Sequence, residues 1–336
     1  MRVAMISDTR RGALRRRIPR SMILLLLPLV TLAASCGGLT GGERPVVAVG
    51  FESQQWLVEQ IAGDDFETVV LMPPGSDPEM FDPDMRAMRG LERADLYLTT
   101  STIGFESRLA ERIRENYPTL DVADISEGVE ILLHTHSIAG AAEDHDEDHD
   151  EDHGHDHEDG ACEAGDPHIL SSLRNTRIVA RNILTALIRL NPTRSEEYSR
   201  NFALLDQRLL SSDAEAKSLI AFSRGGAFVT MHPILGYYAR DYGLTQIPLE
   251  TDGKEATPRQ LGQMLAAASK RAPAALFYER GHNERQADQM AAALGIKAYP
   301  LQLNGADFIG EIERVARIID SDRIEKERRK MPKRPR

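Results

Sequence analysis

The chain has 336 residues and a formal charge of −11, with 52 Asp and Glu against 41 Lys and Arg. That balance argues against nucleic acid as a natural partner, because a net negative chain is repelled by phosphate. The length permits two separate cores, and two cysteines are too few for a disulfide framework.

The N-terminus carries Arg10, Arg11, Arg15, Arg16, Arg17 and Arg20, followed by an apolar run from Met22 to Ala34. Thirteen residues are too few to cross a bilayer but suit the hydrophobic region of a signal peptide. The run ends Leu32-Ala33-Ala34-Ser35-Cys36-Gly37, similar to a bacterial lipobox, with the leucine one place further from the cysteine than usual. Residues 1–35 are therefore expected to be a lipoprotein signal peptide. Cys36 is expected to carry an acyl anchor that holds the protein at the outer face of the cell membrane without spanning it. Losing residues 1–35 removes seven arginines and one aspartate, leaving a mature charge of about −17.

After this leader the chain alternates short apolar runs with helical patterns. Strands are expected at 46–50, 68–72, 96–99 and, weakly, 120–122; helices are expected from a Ser53 cap to 61, from Asp82-Pro83 to 94, and over 105–116. The second half repeats this grammar. Its strands are 227–231, 244–249, 274–278 and 297–301, and its helices 235–242, 257–270, 283–294 and 307–324. Strands separated by helices of this length pair in parallel, so the expected fold is α/β with two parallel-sheet lobes, 44–190 and 225–327.

Between the lobes, Asn191-Pro192 opens a pattern of Tyr198, Phe202, Leu205, Leu209, Ala216 and Leu219, with no glycine until Gly225. Roughly thirty helical residues would extend about 45 Å. One long helix over 191–223 is expected to join the lobes as a rigid connector, so that a ligand enters a cleft of nearly constant width.

Residues 143–159 read EDHDEDHDEDHGHDHED, five histidines among eleven carboxylates. Such a tract cannot bury a core and is expected to be a disordered loop within 138–165. His145, His149, His153, His155 and His157 are nevertheless expected to gather divalent cations, since imidazole and carboxylate both ligate zinc-like metals. Cys162 is expected to be a loop thiol, and residues 328–336 a solvated basic tail. A tract without fixed geometry cannot select one ion, so an ordered site elsewhere must do so.

Three segments offer ligands for that site. Glu79 lies in the proline-stiffened loop PPGSDPEMFDP after the second strand. His168 follows Asp166-Pro167, where Asp166 is expected to cap a helix and place His168 in its first turn. His232 follows the strand AFVTM directly. Open α/β sheets bind ligands at the carboxyl ends of their strands, which favours such positions.

These segments, PPGSDPEMFDPDM, DPHIL, HPILGYYARDYGL and the following QIPLETDGKEATPRQL, together with the histidine–acid loop, resemble the zinc- and manganese-binding lipoproteins of bacterial ABC importers, the ZnuA/TroA-like family. The resemblance covers nearly the whole mature chain. It implies two α/β lobes joined by one rigid helix, a metal site in the interlobe cleft, and an ABC permease as partner. It also implies ligands at Glu79, where many members carry histidine, at His168 and at His232, with a late carboxylate carried to Asp307; Glu279 is another candidate for that place, and Gln302 stands where it is expected. The cargo implied is Zn2+, with Mn2+ the alternative, and no enzyme activity. A stand-alone metal store and a zinc hydrolase are the competing classes. For the hydrolase, no HExxH or GxSxG motif is present.

Overall fold

The computed structural model describes residues 44–74, 76, 81–100, 102–117, 119–133, 165–250, 257–282 and 284–330. The expected signal peptide with Cys36, Glu79, the histidine–acid tract, Cys162 and residues 331–336 lie outside these. In chain order the first half runs β1 (Val46–Val49), α1 (Glu52–Ala62), β2 (Glu67–Val70), α2 (Met85–Glu92), β3 (Leu96–Thr99), α3 (Gly104–Asn116) and β4 (Asp121–Asp124). Two helices follow, α4 (Leu173–Leu190) and α5 (Ser195–Ile220). The second half runs β5 (Ala227–Thr230), α6 (Gly236–Tyr242), β6 (Thr245–Pro248), α7 (Pro258–Lys270), β7 (Leu276–Glu279), α8 (Glu284–Leu294), β8 (Ala298–Leu301) and α9 (Phe308–Lys330).

The strands form two parallel sheets of matching order, β2-β1-β3-β4 and β6-β5-β7-β8. Composition explains the order. The inner strands VVAV, LYLT and AFVT are buried along their whole length, as expected of strands covered on both faces. The edge strands β2, β4 and β6 mix in Glu67, Asp121, Asp124 and Gln246 and are half-buried. In each sheet the order reverses beside the first strand, which puts the switch-point crevice at the ends of β1 and β3 and of β5 and β7.

One apolar cluster is shared by the two lobes. It takes Val47 and Leu98 from the first sheet, Phe228 and Phe277 from the second, and Ile183, Leu209, Ile312 and Val315 from α4, α5 and α9. The outer faces of the sheets have their own smaller clusters, around Tyr97 and around Leu276. Two further contacts tie the lobes at α1. Trp56 meets Phe308 edge-on at 5.8 Å between ring centroids, and the Ser53 N–H donates to the Asn304 carbonyl at 3.0 Å. The chain reaches α5 through a 3-10 turn at Pro192–Arg194 and leaves through another at Ala221–Ser223. Its 26 residues correspond to about 39 Å.

Several local expectations shift. Ser53 does not cap α1, because the helix starts one residue before it; its N–H donates to the other lobe, and the Gln54 side chain accepts from the N–H groups of Gly50 and Phe51, at 2.7 and 3.3 Å. Asp84 rather than Asp82 opens α2, accepting from the N–H groups of Arg86 and Ala87. Asp166 does not cap a helix; α4 starts later and is capped by Ser172, whose hydroxyl accepts from the Asn175 N–H. The last helix runs on to Lys330, so the basic segment from Arg328 is helical at its start.

Leu209 is fully buried in the shared cluster. Leu209→Ala is expected to lower unfolding stability by about 2–5 kcal/mol in a denaturant titration, because a cavity there touches both lobes.

Candidate metal centre

His232 stands two residues beyond β5, a central strand, so the sheet delivers its side chain to the crevice. His168 arrives differently. Gly165 forms an antiparallel bridge with Leu133, Asp166 N–H donates to the Leu132 carbonyl at 2.7 Å, and the chain then turns through Pro167 into a 3-10 helix at Ile169–Ser171. The two imidazoles meet edge-to-face, with centroids 5.1 Å apart and planes at 71°. Both Nε2 atoms are buried. Two imidazoles sharing one tetrahedral zinc at about 2.1 Å from each nitrogen have ring centres roughly 5 Å apart, so the observed spacing fits such an ion.

Asp166 sets the orientation of His168. Its Oδ1 accepts from the His168 backbone N–H at 2.8 Å and pairs with the ring Nδ1 at 2.8 Å. A carboxylate accepts, so this contact is made through a proton on Nδ1, the arrangement in which a neutral imidazole coordinates a metal through Nε2. Asp166 is itself held from the second lobe. The Tyr237 hydroxyl donates to its carbonyl at 2.7 Å, and burial keeps that hydroxyl's pKa well above its ordinary value. A Cβ on residue 236 would lie 2.5 Å from Asp166 Oδ2, so the HPILGYY segment needs glycine at that place. Beside it, Arg240 lies over the Tyr237 ring at 5.1 Å and pairs with Asp241 at 2.8 Å, while Asp241 accepts from the Ser172 hydroxyl.

The neighbouring cavity encloses about 430 Å³ including its mouth and is lined by Phe51, Gln54, Thr100 and Ile103 of the first lobe, His168 and Ser171, and Leu303 and Asn304 of the second. A second, adjoining part of about 450 Å³ runs between Pro73, Pro74 and Ser76 on one side and Glu279, His282 and Gln302 on the other. The loop that leads to Glu79 thus faces the ends of β7 and β8. Glu79 itself is outside the described residues, as are the five tract histidines.

Not every candidate is brought together. Asp307 stands exposed in the turn before α9, its carbonyl accepting from Glu311 at 3.1 Å. Among the described residues, no group of three or more His, Cys, Asp or Glu side chains stands in metal-holding geometry. The described part of the site is therefore the His168–His232 pair.

Sequence reasoning missed the roles of three residues. Asp166 was read as a helix cap, while Tyr237 and Glu106, inside the expected helices 235–242 and 105–116, were not singled out. Glu106 is fully buried under the cleft wall, accepting from the Thr100 N–H and hydroxyl at 2.6 and 2.7 Å and from the Gln54 amide at 3.3 Å. Burial pushes its pKa up from 4.5 to about 7; the Thr100 and Gln54 hydrogen bonds oppose the rise and Asp124 adds to it. The available signal was Gly50, where a Cβ would lie 1.8 Å from Glu106 Oε1.

Comparison with known proteins bears on the family and the fold. The family model described as "Zinc-uptake complex component A periplasmic" matches residues 47–319. The chain is 25% identical over 290 residues to "Zinc-binding protein AdcA" of Streptococcus pyogenes serotype M1, covering 83% of this chain and 55% of that relative. It therefore spans about half the length of that curated relative. It is 24% identical to "High-affinity zinc uptake system protein ZnuA" of Bacillus subtilis (strain 168), covering 86% of it. Among solved structures, "Crystal structure of ZnuA" superposes with a TM-score of 0.71 at 26% identity, covering 83% of this chain and 99% of the other.

Removing the carboxylate that orients His168 tests its part in the site. Asp166→Ala is expected to weaken tight zinc binding about 10–100-fold in a competition titration while the far-UV circular dichroism stays unchanged.

Proposed function

The chain belongs to the ZnuA family, and from that premise we propose that it is the extracytoplasmic receptor of a metal ABC importer, capturing Zn2+ in its interlobe cleft and handing it to a membrane permease. The observation that carries this reading is the buried His168–His232 pair, 5.1 Å between centroids, with Asp166 holding one ring from behind. Two imidazole donors favour zinc over manganese, which prefers oxygen-rich six-coordinate sites. Glu79 is proposed as the third ligand: its loop continues from Pro73, Pro74 and Ser76, which line the same cleft. Glu279 and Gln302 line that part of the cleft as well. Lining that cavity places them better than Asp307, which is not among its lining residues, to serve as further oxygen donors.

Receptor work needs binding and release and no bond chemistry, so the protein is proposed not to be an enzyme. The lipobox at Leu32–Cys36 supports an acyl anchor at the membrane surface, and the protein is proposed to act there as a monomer. The histidine–acid tract is proposed to raise the local supply of metal through weak, exchangeable contacts, leaving selection to the cleft.

Zinc calorimetry separates these roles. The His168→Ala, His232→Ala double variant is expected to lose tight binding, at a cost of at least about 100-fold in affinity. Retention of that binding overturns the assignment. Deleting residues 143–160 is expected to leave the tight event intact and to remove only weaker equivalents; loss of the tight event on this deletion would make the tract itself the site. Competition with Mn2+ on the wild type is expected to leave zinc bound.

A further inference from the structure

Glu106 is a carboxyl with no place in the proposed ligand set, yet three parts of the cleft wall are fastened to it. Its Oε2 accepts from the Thr100 N–H at 2.6 Å and from the Thr100 hydroxyl at 2.7 Å, holding the turn after β3. Its Oε1 accepts from the Gln54 amide at 3.3 Å. The far end of that amide accepts from Gly50 and Phe51, holding the turn after β1 and the start of α1. Thr100, Gln54 and Phe51 line the same cavity as His168.

The groups facing the carboxyl cannot neutralise it. Gly50 follows β1, α1 presents the neutral Gln54 amide, β3 presents Tyr97, and β4 presents Asp124. Tyr97 and Asp124 are acids, and Asp124 repels the charged form. A carboxylate buried among neutral dipoles and another acid is stabilised strongly by a divalent cation nearby, because the local dielectric is low.

We propose that Glu106 is a proton-exchanging positioning residue for the cargo site: with the cleft empty its carboxyl holds a proton, and a divalent cation captured beside His168 drives that proton off to solvent. The O–H bond breaks, the electron pair stays on the carboxylate, and the proton passes to water or buffer. By linkage the reverse holds equally, so protonation of Glu106 favours release of the ion. The inference rests on the reading of His168 as a ligand. The upward displacement of the carboxyl to about 7 places the exchange at neutral pH.

Sign and window follow from that displacement. An acid raised from 4.5 to about 7 in the fold binds its proton more tightly there than in the unfolded chain. The stability it contributes is fully present below pH 4.5 and is lost as pH rises through about 7. Glu106→Gln keeps the neutral form at every pH, so the metal-free variant is expected to lack the fall in Tm that the metal-free wild type shows over that range.

The test is calorimetric titration of the metal-free full chain with Zn2+ alone, between about pH 6 and 8, in buffers of different ionisation heat. The wild type is expected to release up to about one more proton per zinc than Glu106→Gln near pH 6, with the difference vanishing as pH passes 8. The wild-type affinity is correspondingly expected to fall more steeply in acid, by up to about tenfold more per pH unit. Equal proton release by the two proteins overturns this proposal and leaves the cargo site standing. A wild type that binds no zinc in the cleft overturns the cargo site and this proposal with it. Infrared difference spectra of the wild type provide a check that needs no variant: a protonated buried carboxyl band near pH 6 is expected to vanish on zinc addition, and its absence before zinc is added overturns the proposal.

Discussion

The two lobes share one apolar core, and the geometry of the cleft depends on it. Val47 and Leu98 of one sheet and Phe228 and Phe277 of the other belong to the same buried cluster, joined through α4, α5 and α9. Opening the cleft widely would expose that surface, at roughly 25 cal/mol for each Å². Flexible strands between lobes carry no such penalty. Here the Trp56–Phe308 contact and the Ser53–Asn304 hydrogen bond add to that cost at α1. Two imidazoles can then stand about one ion apart before any ion arrives, so less ordering remains to be done on binding.

Behind the pair lies a chain of supports in which each group fixes the next. Tyr237 of the second lobe holds the Asp166 carbonyl, and Asp166 holds both the backbone and the ring of His168. The orientation of His168 is therefore set partly from the second lobe. Gly236 leaves room for the Asp166 carboxyl, as Gly50 leaves room for Glu106. Two carboxyls near the cleft thus have opposite characters. Asp166 meets an imidazole and serves as its acceptor; Glu106 meets hydroxyl, amide and backbone dipoles, and burial dominates its titration.

Much of the architecture could be read in advance because it rests on short-range patterns. Continuous apolar runs such as VVAV and AFVT must be covered on both faces, and helices between them force parallel pairing. The long helix was visible because Tyr198, Leu205 and Leu209 repeat at helical spacing without interruption. Helix starts were harder. Ser53 and Asp166 have the right chemistry for caps, but α1 already starts at Glu52, ahead of Ser53, and the Asp166 carboxylate is taken by the His168 backbone and ring. Local chemistry identifies which groups can accept; it does not say where the helix will start or which donor will meet them.

The amino-acid order alone determined the parallel α/β lobes, the connector helix and the two histidines worth suspecting, since periodicity and residue type are local properties. Tertiary structure decided that His168 and His232 stand 5.1 Å apart, that Asp307 remains outside their group and that Glu106 is sealed beneath the cleft wall. Those outcomes depend on how two sheets far apart in the chain pack across one core. Distances between such elements are set by the sum of many side-chain volumes, which no single motif encodes.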